Sequence, residues 1–420
     1  MKLLISVVSI MCIMVANSYA DEVTTLKSLV DETLQNNPEI KAARARWEAS
    51  TKRPSQEGSL PDPIVGINWF NVSFDRITLN ETPDSMFLFT FFQEFPFPGK
   101  LSLREQTAKE EAEAQEKMYE TDLRRVIADL KEAYYIWFLV HKSIEIIAKN
   151  KDILEKFEQI AEAKYAVGDG IQQDVLKAQV EVSRFIEQLD LLNEQKGMVE
   201  ARIRSILNRP PDSPLGNPET EIEKSPFNLT TEELYKIAQE RAPLLKAKEN
   251  LIDREEEALK LAKKEYYPDF SIGASPGLMG IPGGGGTQGA WGVTFGVKVP
   301  LYFWRKQRYG VEEAVLQLKA AQEDFSSTSQ DISFRVKDQY LVAKTSENLL
   351  KLFEEGIIPQ ATSSLESAIA GYQVGNIDFL TLLDNLLTLF NFELTYYTHL
   401  TNYQKALARI EEIIDMDLIK

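Results

Sequence analysis

The chain has 420 residues, with 47 Lys and Arg against 64 Asp and Glu and a formal net charge of −17. That balance argues against nucleic acid as a partner, because binding it needs basic surface to release counterions. With one cysteine, Cys12, and two histidines, the chain has too little to build a disulfide framework or a Cys/His metal cluster.

Met1–Ala20 reads as a secretory signal: Lys2 is its positive start, Leu3–Val15 its apolar run and Ser18-Tyr19-Ala20 its small-residue cleavage site. The apolar run is shorter than the ~20 residues that a membrane-spanning helix needs. Cleavage after Ala20 removes Lys2, taking the net charge from −17 to −18, and removes Cys12. The mature chain then has no thiol. A lipoprotein needs a small residue before its acceptor cysteine; Met11 fits that poorly, so lipid modification is not expected.

From Leu26 to about Ser55 the pattern is helical, with Asn37-Pro38 near its start. Pro61-Asp62-Pro63 breaks it and the period becomes two, so Ile64–Phe74 and Met86–Phe95 read as strands. In the second, Phe87, Phe89 and Phe91 share one face; Leu88, Thr90 and Phe92 share the other. Leu101–Lys164 is helical again. Leu123, Ile127, Leu130, Tyr134, Trp137, Val140, Ile144 and Ile147 step by three or four, and Leu154 and Phe157 continue the stripe. About 64 residues at 1.5 Å each span roughly 95 Å, longer than an ordinary globular helix. After a turn, Gln172–Asn208 runs back with Val175, Val180, Ile186 and Leu189 expected inward, and Pro211–Phe227 is irregular.

The plan then recurs. Tyr165-Ala166-Val167-Gly168 returns 207 positions later as Tyr372-Gln373-Val374-Gly375. Pro38 returns as Pro243, Pro61-Asp62 as Pro268-Asp269, Gly66 as Gly273, and Pro96 as Pro300. This predicts two structural repeats of helix-strand-strand-helix-helix, residues 21–215 and 231–420, joined by a linker over 216–230. The second repeat comprises a helix Thr231–Lys264, strands Phe270–Gly277 and Ala290–Val299, a helix Arg305–Gly371, and a helix from Ile377 to about Met416. The glycine in each Tyr-x-Val-Gly supplies the left-handed backbone of a tight helix-to-helix turn.

Ala290–Val299 is the most informative strand. Trp291, Val293, Phe295, Val297 and Val299 line one face; Ala290, Gly292, Thr294, Gly296 and Lys298 line the other. An apolar face alternating with a small or polar one over about ten residues is what a transmembrane β-strand requires. Tyr302, Phe303 and Trp304 beside it suit a bilayer interface. A sandwich strand would alternate likewise, but four strands are too few for a sandwich and too few to close a barrel alone. Ile281–Gly286, between the last two strands, is a flexible tip.

Gly273-Ala274-Ser275-Pro276-Gly277 matches the G-x-S-x-G elbow of hydrolases. That elbow needs a strand-to-helix turn, whereas this stretch runs into a glycine-rich loop, and only His141 and His399 are available as a base. A P-loop, an H-E-x-x-H pair and a dinucleotide fingerprint are all missing from the sequence. No enzyme and no cofactor is expected.

Two motifs carry a family resemblance over residues 21–420. Glu94-Phe95-Pro96-Phe97-Pro98-Gly99-Lys100 resembles the strand-to-helix junction of the TolC-type outer-membrane efflux family, above all its heavy-metal branch. The doubled Tyr-x-Val-Gly, followed first by Asp174-Val175-Leu176-Lys177-Ala178-Gln179, resembles that family's periplasmic tip. The resemblance implies a mainly α fold with a transmembrane β-barrel. Three chains of four strands would share a twelve-stranded barrel, and their helices would form a long coiled-coil periplasmic tunnel. It places the junction at Pro96, Pro98, Gly99 and Pro300, where proline stops ladder pairing by removing a donor. It places adaptor docking at Tyr165, Val167, Gly168, Tyr372, Val374 and Gly375. It makes Asp174 and Asp384 candidates for an acidic gate, with Thr381 where a second aspartate is expected and Ile377 where a base is expected.

The function so implied is a passive outer-membrane exit duct of a Gram-negative cell, extending into the periplasm. As a homotrimer in outer-membrane lipid it would take small molecules or metal cations, energised by an inner-membrane transporter through a periplasmic adaptor. Type I protein secretion is the alternative use of the same duct. A soluble periplasmic coiled-coil scaffold is the alternative of another class; it leaves Ala290–Val299 without purpose. A hydrolase built on Ser275 is the third.

Overall fold

The computed structural model describes residues 23–73, 75, 78–79, 82, 84–281 and 285–419. The secretory signal and the centre of the glycine-rich tip lie outside the described residues. The chain divides into two compact units. One comprises residues up to Ala43, Tyr119–Pro243 and Ser329–Lys420; the other comprises Arg44–Met118 and Leu244–Thr328.

Prolines punctuate the short helices. The expected helix to Ser55 is three: α1 (Leu26–Asn36), α2 (Pro38–Ser50) and α3 (Arg53–Glu57). Asn37 leaves the helix at ψ 124° because the ring of Pro38 disfavours the α region for its predecessor. Its side chain then caps α2, accepting from the amides of Glu39 (2.9 Å) and Ile40 (3.0 Å), and donates to the Ile206 carbonyl (2.7 Å). Ala242 before Pro243 splits the second such segment into α6 (Thr231–Arg241) and α7 (Pro243–Lys264) in the same way.

The long helices form two hairpins of matching length. α4 (Lys100–Ala166) turns into α5 (Gln172–Leu207). α8 (Gln307–Leu352), a π-helical turn (Phe353–Ile357) and α9 (Ile358–Gln373) lead to α10 (Phe379–Ile414). The expected unbroken helix here is therefore interrupted. Pro359 has no amide and its ring crowds the carbonyl four residues back, and a widened turn accommodates both. Asn208 and Asp415, 207 positions apart, both end their helices in the left-handed region (φ 57° and 50°).

In the first unit one apolar core joins all four hairpin arms. Leu154 and Phe157 of α4, Val175 and Phe185 of α5, Leu365 of α9, and Phe379, Leu386 and Phe390 of α10 are buried together. Burial of each such side chain contributes about 1.5–3 kcal/mol. A second core sets Leu29 and Ile40 against Leu130, Tyr134 and Trp137 of α4 and Ile203 and Leu207 of α5. Val180 and Ile186, expected inward, are exposed; α5 buries only the stripe that meets its neighbours in this chain.

The second unit carries the sheet. β1 (Ile64–Phe70), β2 (Met86–Phe95), β3 (Asp269–Ala274), β4 (Gly277–Gly280), β5 (Thr287–Ala290) and β6 (Val293–Lys298) are all antiparallel. β3 and β4 form one lane, because both pair with β2 in the same register: Phe91↔Ala274 and Met86↔Met279. β5 and β6 form another, bridged by mutual Ser275–Gly292 backbone bonds of 2.8 and 3.1 Å. Six strands therefore make four lanes, in the order β1, β2, β3/β4, β5/β6. The first lane ends at Phe70, not at the expected Phe74, which lies outside the described residues.

Candidate functional site

At the end of the helical unit the two tight turns have one geometry. Gly168 takes φ 85° and Gly375 φ 76°. Asp169 donates to the Lys164 carbonyl (2.9 Å), and its counterpart Asn376 donates to that of Gly371 (2.8 Å). These are the wide bonds of a helix closed by a left-handed residue. Each turn pushes a valine out: Val167 is 73% exposed and Val374 70%.

Side chains break this likeness. Tyr165 is 49% exposed, while its counterpart Tyr372 is 7%. Tyr372 packs edge-on to Phe379 (5.9 Å), and the Lys164 ammonium lies 3.8 Å from its ring centre and donates to its carbonyl (3.1 Å). Asp378 caps α10 by accepting from the Thr381 amide (2.7 Å), and this bond holds its carboxyl below the usual range. Asp174, three residues into α5, is pushed up by burial and then by the charge of Asp378, against the pull of Lys164. The structure thus gathers Asp174, Asp378, Lys164 and Tyr372, and leaves Thr381 and Asp384 exposed.

Sequence reasoning passed over Asp378 and Lys164. The Asp-x-x-Thr spacing at 378–381 is an N-cap signature and could have marked the first. Nothing local links Lys164 to a tyrosine 208 positions away.

The raised Asp174 sets a sign. A carboxyl with a folded value above its unfolded one costs stability above the folded value, and the cost fades as pH falls through it. Asp174→Asn is therefore expected to strengthen the tip at pH 7 by less than about 1 kcal/mol, since the site is partly solvated. Amide exchange over α5 and α10 checks this: the gain must shrink towards pH 4, and a gain that grows there overturns it.

The sheet has two chemically distinct faces. Direct cross-strand partners share a face, which puts Val65, Ile67 and Trp69 with Phe91, Phe89 and Phe87, and Ile272 and Phe270 with Phe295 and Val297. These side chains are largely exposed, Phe295 at 77%. The opposite face carries Asn68, Thr90, Glu94, Ser271, Thr294 and Lys298, and Lys298 pairs with Glu94 at 3.0 Å.

Pro96 and Pro300 follow the last paired residues of β2 and β6 closely. Beyond Pro98, Gly99 turns at φ 88° and Lys100 opens α4. Lys100 is 1% exposed, and its ammonium meets Asp269 (2.8 Å), Glu265 (3.2 Å) and the Tyr267 carbonyl (3.0 Å). The Phe97 amide donates to the same Asp269 oxygen (2.9 Å), and the Phe97 ring stacks on Tyr267 at 4.6 Å. Sequence reasoning placed the prolines but not this buried cation.

Ser275 lies in mid-lane with its backbone bonded to Gly292, and no helix follows it, so the elbow geometry is missing. His141 is lowered to about 4 by burial and then by Lys196. Among the described residues no cluster of three or more His, Cys, Asp or Glu could hold a metal ion. No helix among them is long and apolar enough to cross a membrane.

A family model described as outer membrane efflux protein matches residues 29–209 and 234–414. The chain is 21% identical over 296 residues to the cobalt-zinc-cadmium resistance protein CzcC of Cupriavidus metallidurans, covering 68% of this chain and 67% of that protein. It is 22% identical over 431 residues to the outer membrane protein TolC of Escherichia coli K12, covering 96% and 85%. Its fold is similar to that of the outer-membrane channel OprN, with TM-score 0.78 and 18% identity over 93% of this chain and 89% of that one.

Proposed function

This chain belongs to the outer membrane efflux protein family, and from that premise we propose that it is the passive exit duct of a tripartite efflux system. Three copies share a twelve-stranded barrel in the outer membrane of a Gram-negative cell, and their helical hairpins line a periplasmic tunnel. An inner-membrane transporter supplies the energy, through an adaptor that docks on Val167-Gly168 and Val374-Gly375. The observation that carries this reading is the sheet, with one face mainly apolar and largely exposed and the other carrying its charged pair and most of its polar side chains. In water such a face costs free energy in proportion to its area; in hydrocarbon it costs nothing.

The cargo is a metal cation or small molecule. The likeness to a cobalt-zinc-cadmium resistance protein and the junction Glu94–Lys100 favour it over protein export. Around a three-fold axis, Asp174, Asp378 and Asp384 of three copies form an acidic constriction that favours cations and repels anions.

Planar-bilayer conductance of the purified, detergent-extracted protein tests the reading. A small cation-selective conductance from trimeric material supports the duct. A monomer that stays soluble without detergent and inserts no conductance overturns it and favours the scaffold. Asp384→Ala is expected to raise leak conductance and weaken block by multivalent cations. If both stay unchanged, Asp384 is not part of the gate.

A further inference from the structure

Beside the middle of α4, within the helical unit, lies a cavity of about 620 Å3. Its most buried lining is Tyr134 and Tyr135 of α4 and Gln404 of α10, each at most 2% exposed. Leu26, Ile222, Pro226 and Ile419 give it apolar walls. These walls are pinned in place. Thr24 donates through Oγ1 to the Leu215 carbonyl (2.6 Å), and Gln404 donates through Nε2 to the Glu223 carbonyl (2.7 Å). The amides of Leu418 and Ile419 both donate to Glu411 (2.5 and 2.6 Å). A preformed space of this size, apolar with a few convergent polar groups, suits a small organic molecule.

The polar groups around it are not balanced. Lys142 holds Glu221 (2.8 Å), and Glu347 holds Lys224 (3.6 Å). Glu219, Glu223 and Lys27 remain, and among the described residues none of these three makes an ion pair. Negative charge is therefore in excess. The Tyr134 hydroxyl has only long bonds, from the Glu219 amide and to the Thr24 carbonyl, both 3.4 Å. Tyr135 is more weakly satisfied still. Its backbone carbonyl receives Thr401, but its hydroxyl makes no hydrogen bond among the described residues. Burial, then Glu411, Tyr134 and Glu219, push that hydroxyl up, so it stays neutral beside carboxylate charge. A buried hydroxyl without a partner carries a cost that a polar atom of a ligand removes.

We propose that this cavity binds a small organic ammonium, its cation beside the Glu219 carboxylate and the Tyr135 hydroxyl and its apolar body against Leu26, Ile222, Pro226 and Ile419. The Tyr134 and Tyr135 rings add to the attraction, since an aromatic face favours a cation. A bare metal ion fits poorly. A hard divalent cation takes about six or more oxygen ligands, and among the described residues no cluster of three or more metal-binding side chains exists. An anion would meet the unpaired carboxylates. The site needs no barrel, so it goes beyond the duct, and its failure leaves that reading standing.

Titration calorimetry of the full-length, detergent-extracted protein with phenethylammonium tests this. That probe carries a primary ammonium on a short arm from an aromatic ring. Saturable binding at one site per chain is expected. Tyr135→Phe keeps the packed ring and loses only the oxygen; it should weaken binding about ten-fold, and Glu219→Gln by at least as much. The corresponding neutral alcohol, 2-phenylethanol, should bind the unsubstituted protein at least about ten-fold more weakly than the ammonium, a comparison that no folding defect can affect. Equal binding of the alcohol and the ammonium would reveal an apolar cavity without ammonium recognition and overturns the proposal. So does binding that both substitutions leave unchanged, which would put the probe elsewhere on this acidic chain. The absence of any saturable binding overturns it as well.

Discussion

Lys100→Met is expected to lower stability by about 3–5 kcal/mol, the cost of breaking a buried ion pair from one side. The Lys100 side chain is 1% exposed and that of Asp269 15%, so water cannot take over the lost contacts. Without the ammonium, the carboxylates of Asp269 and Glu265 face each other and the Tyr267 carbonyl loses its donor. Most of that cost is the carboxylate left buried without its partner, so adding Asp269→Asn, which removes the charge, should recover part of the loss. Some loss must remain, because the Tyr267 carbonyl still lacks its donor and the Phe97 amide exchanges a carboxylate acceptor for a neutral amide oxygen. Urea midpoints of the single and double variants in one detergent measure this. A loss below about 1 kcal/mol, the range of a surface pair, would show that Lys100 is solvated in the assembled protein.

Phe295→Arg is expected to cost up to about 2–4 kcal/mol in lipid, the penalty for arginine on the hydrocarbon face of a barrel. Thr294→Arg, one residue away on the same strand, is expected to cost at most about 1 kcal/mol, because in the proposed barrel its side chain enters the water-filled side. Phe295 lies among Val293, Val297 and Ile272 on the apolar face, while Thr294 stands opposite Gly273 on the other. Urea unfolding from lipid vesicles, and the yield of each variant in the outer-membrane fraction, compare the two. Equal losses would mean that the faces do not separate lipid from water, which would count against the barrel directly. The comparison cancels strand propensity, since both changes place an arginine in the same strand.

Much of the framework was legible in the sequence because it is local. The strand lanes followed from alternation with a period of two. Gly168 and Gly375 could be assigned to left-handed turns because few other residues adopt positive φ cheaply. Prolines gave the ends of pairing at Phe95 and Lys298. The misses have particular causes. Asn37 and Ala242 interrupt helices that periodicity alone ran together, since a proline acts on the residue before it. The π turn at Phe353–Ile357 came from Pro359, whose effect on the preceding turn the apolar stripe does not show.

The candidate site divides along the same line. Sequence alone determined the two valine-glycine turns, the acids near them, the junction prolines and the two faces of the sheet, because each depends on backbone geometry within a few residues. Only the tertiary structure decided that Tyr372 is buried under Lys164 while Tyr165 stays exposed. It alone paired Asp174 with Asp378 and sank Lys100 between Glu265 and Asp269. These contacts join residues more than 160 positions apart, and two copies of one local pattern cannot foretell which will be covered. The packing of neighbouring helices and strands makes that choice, through which surfaces lose water and which charges lose their solvent.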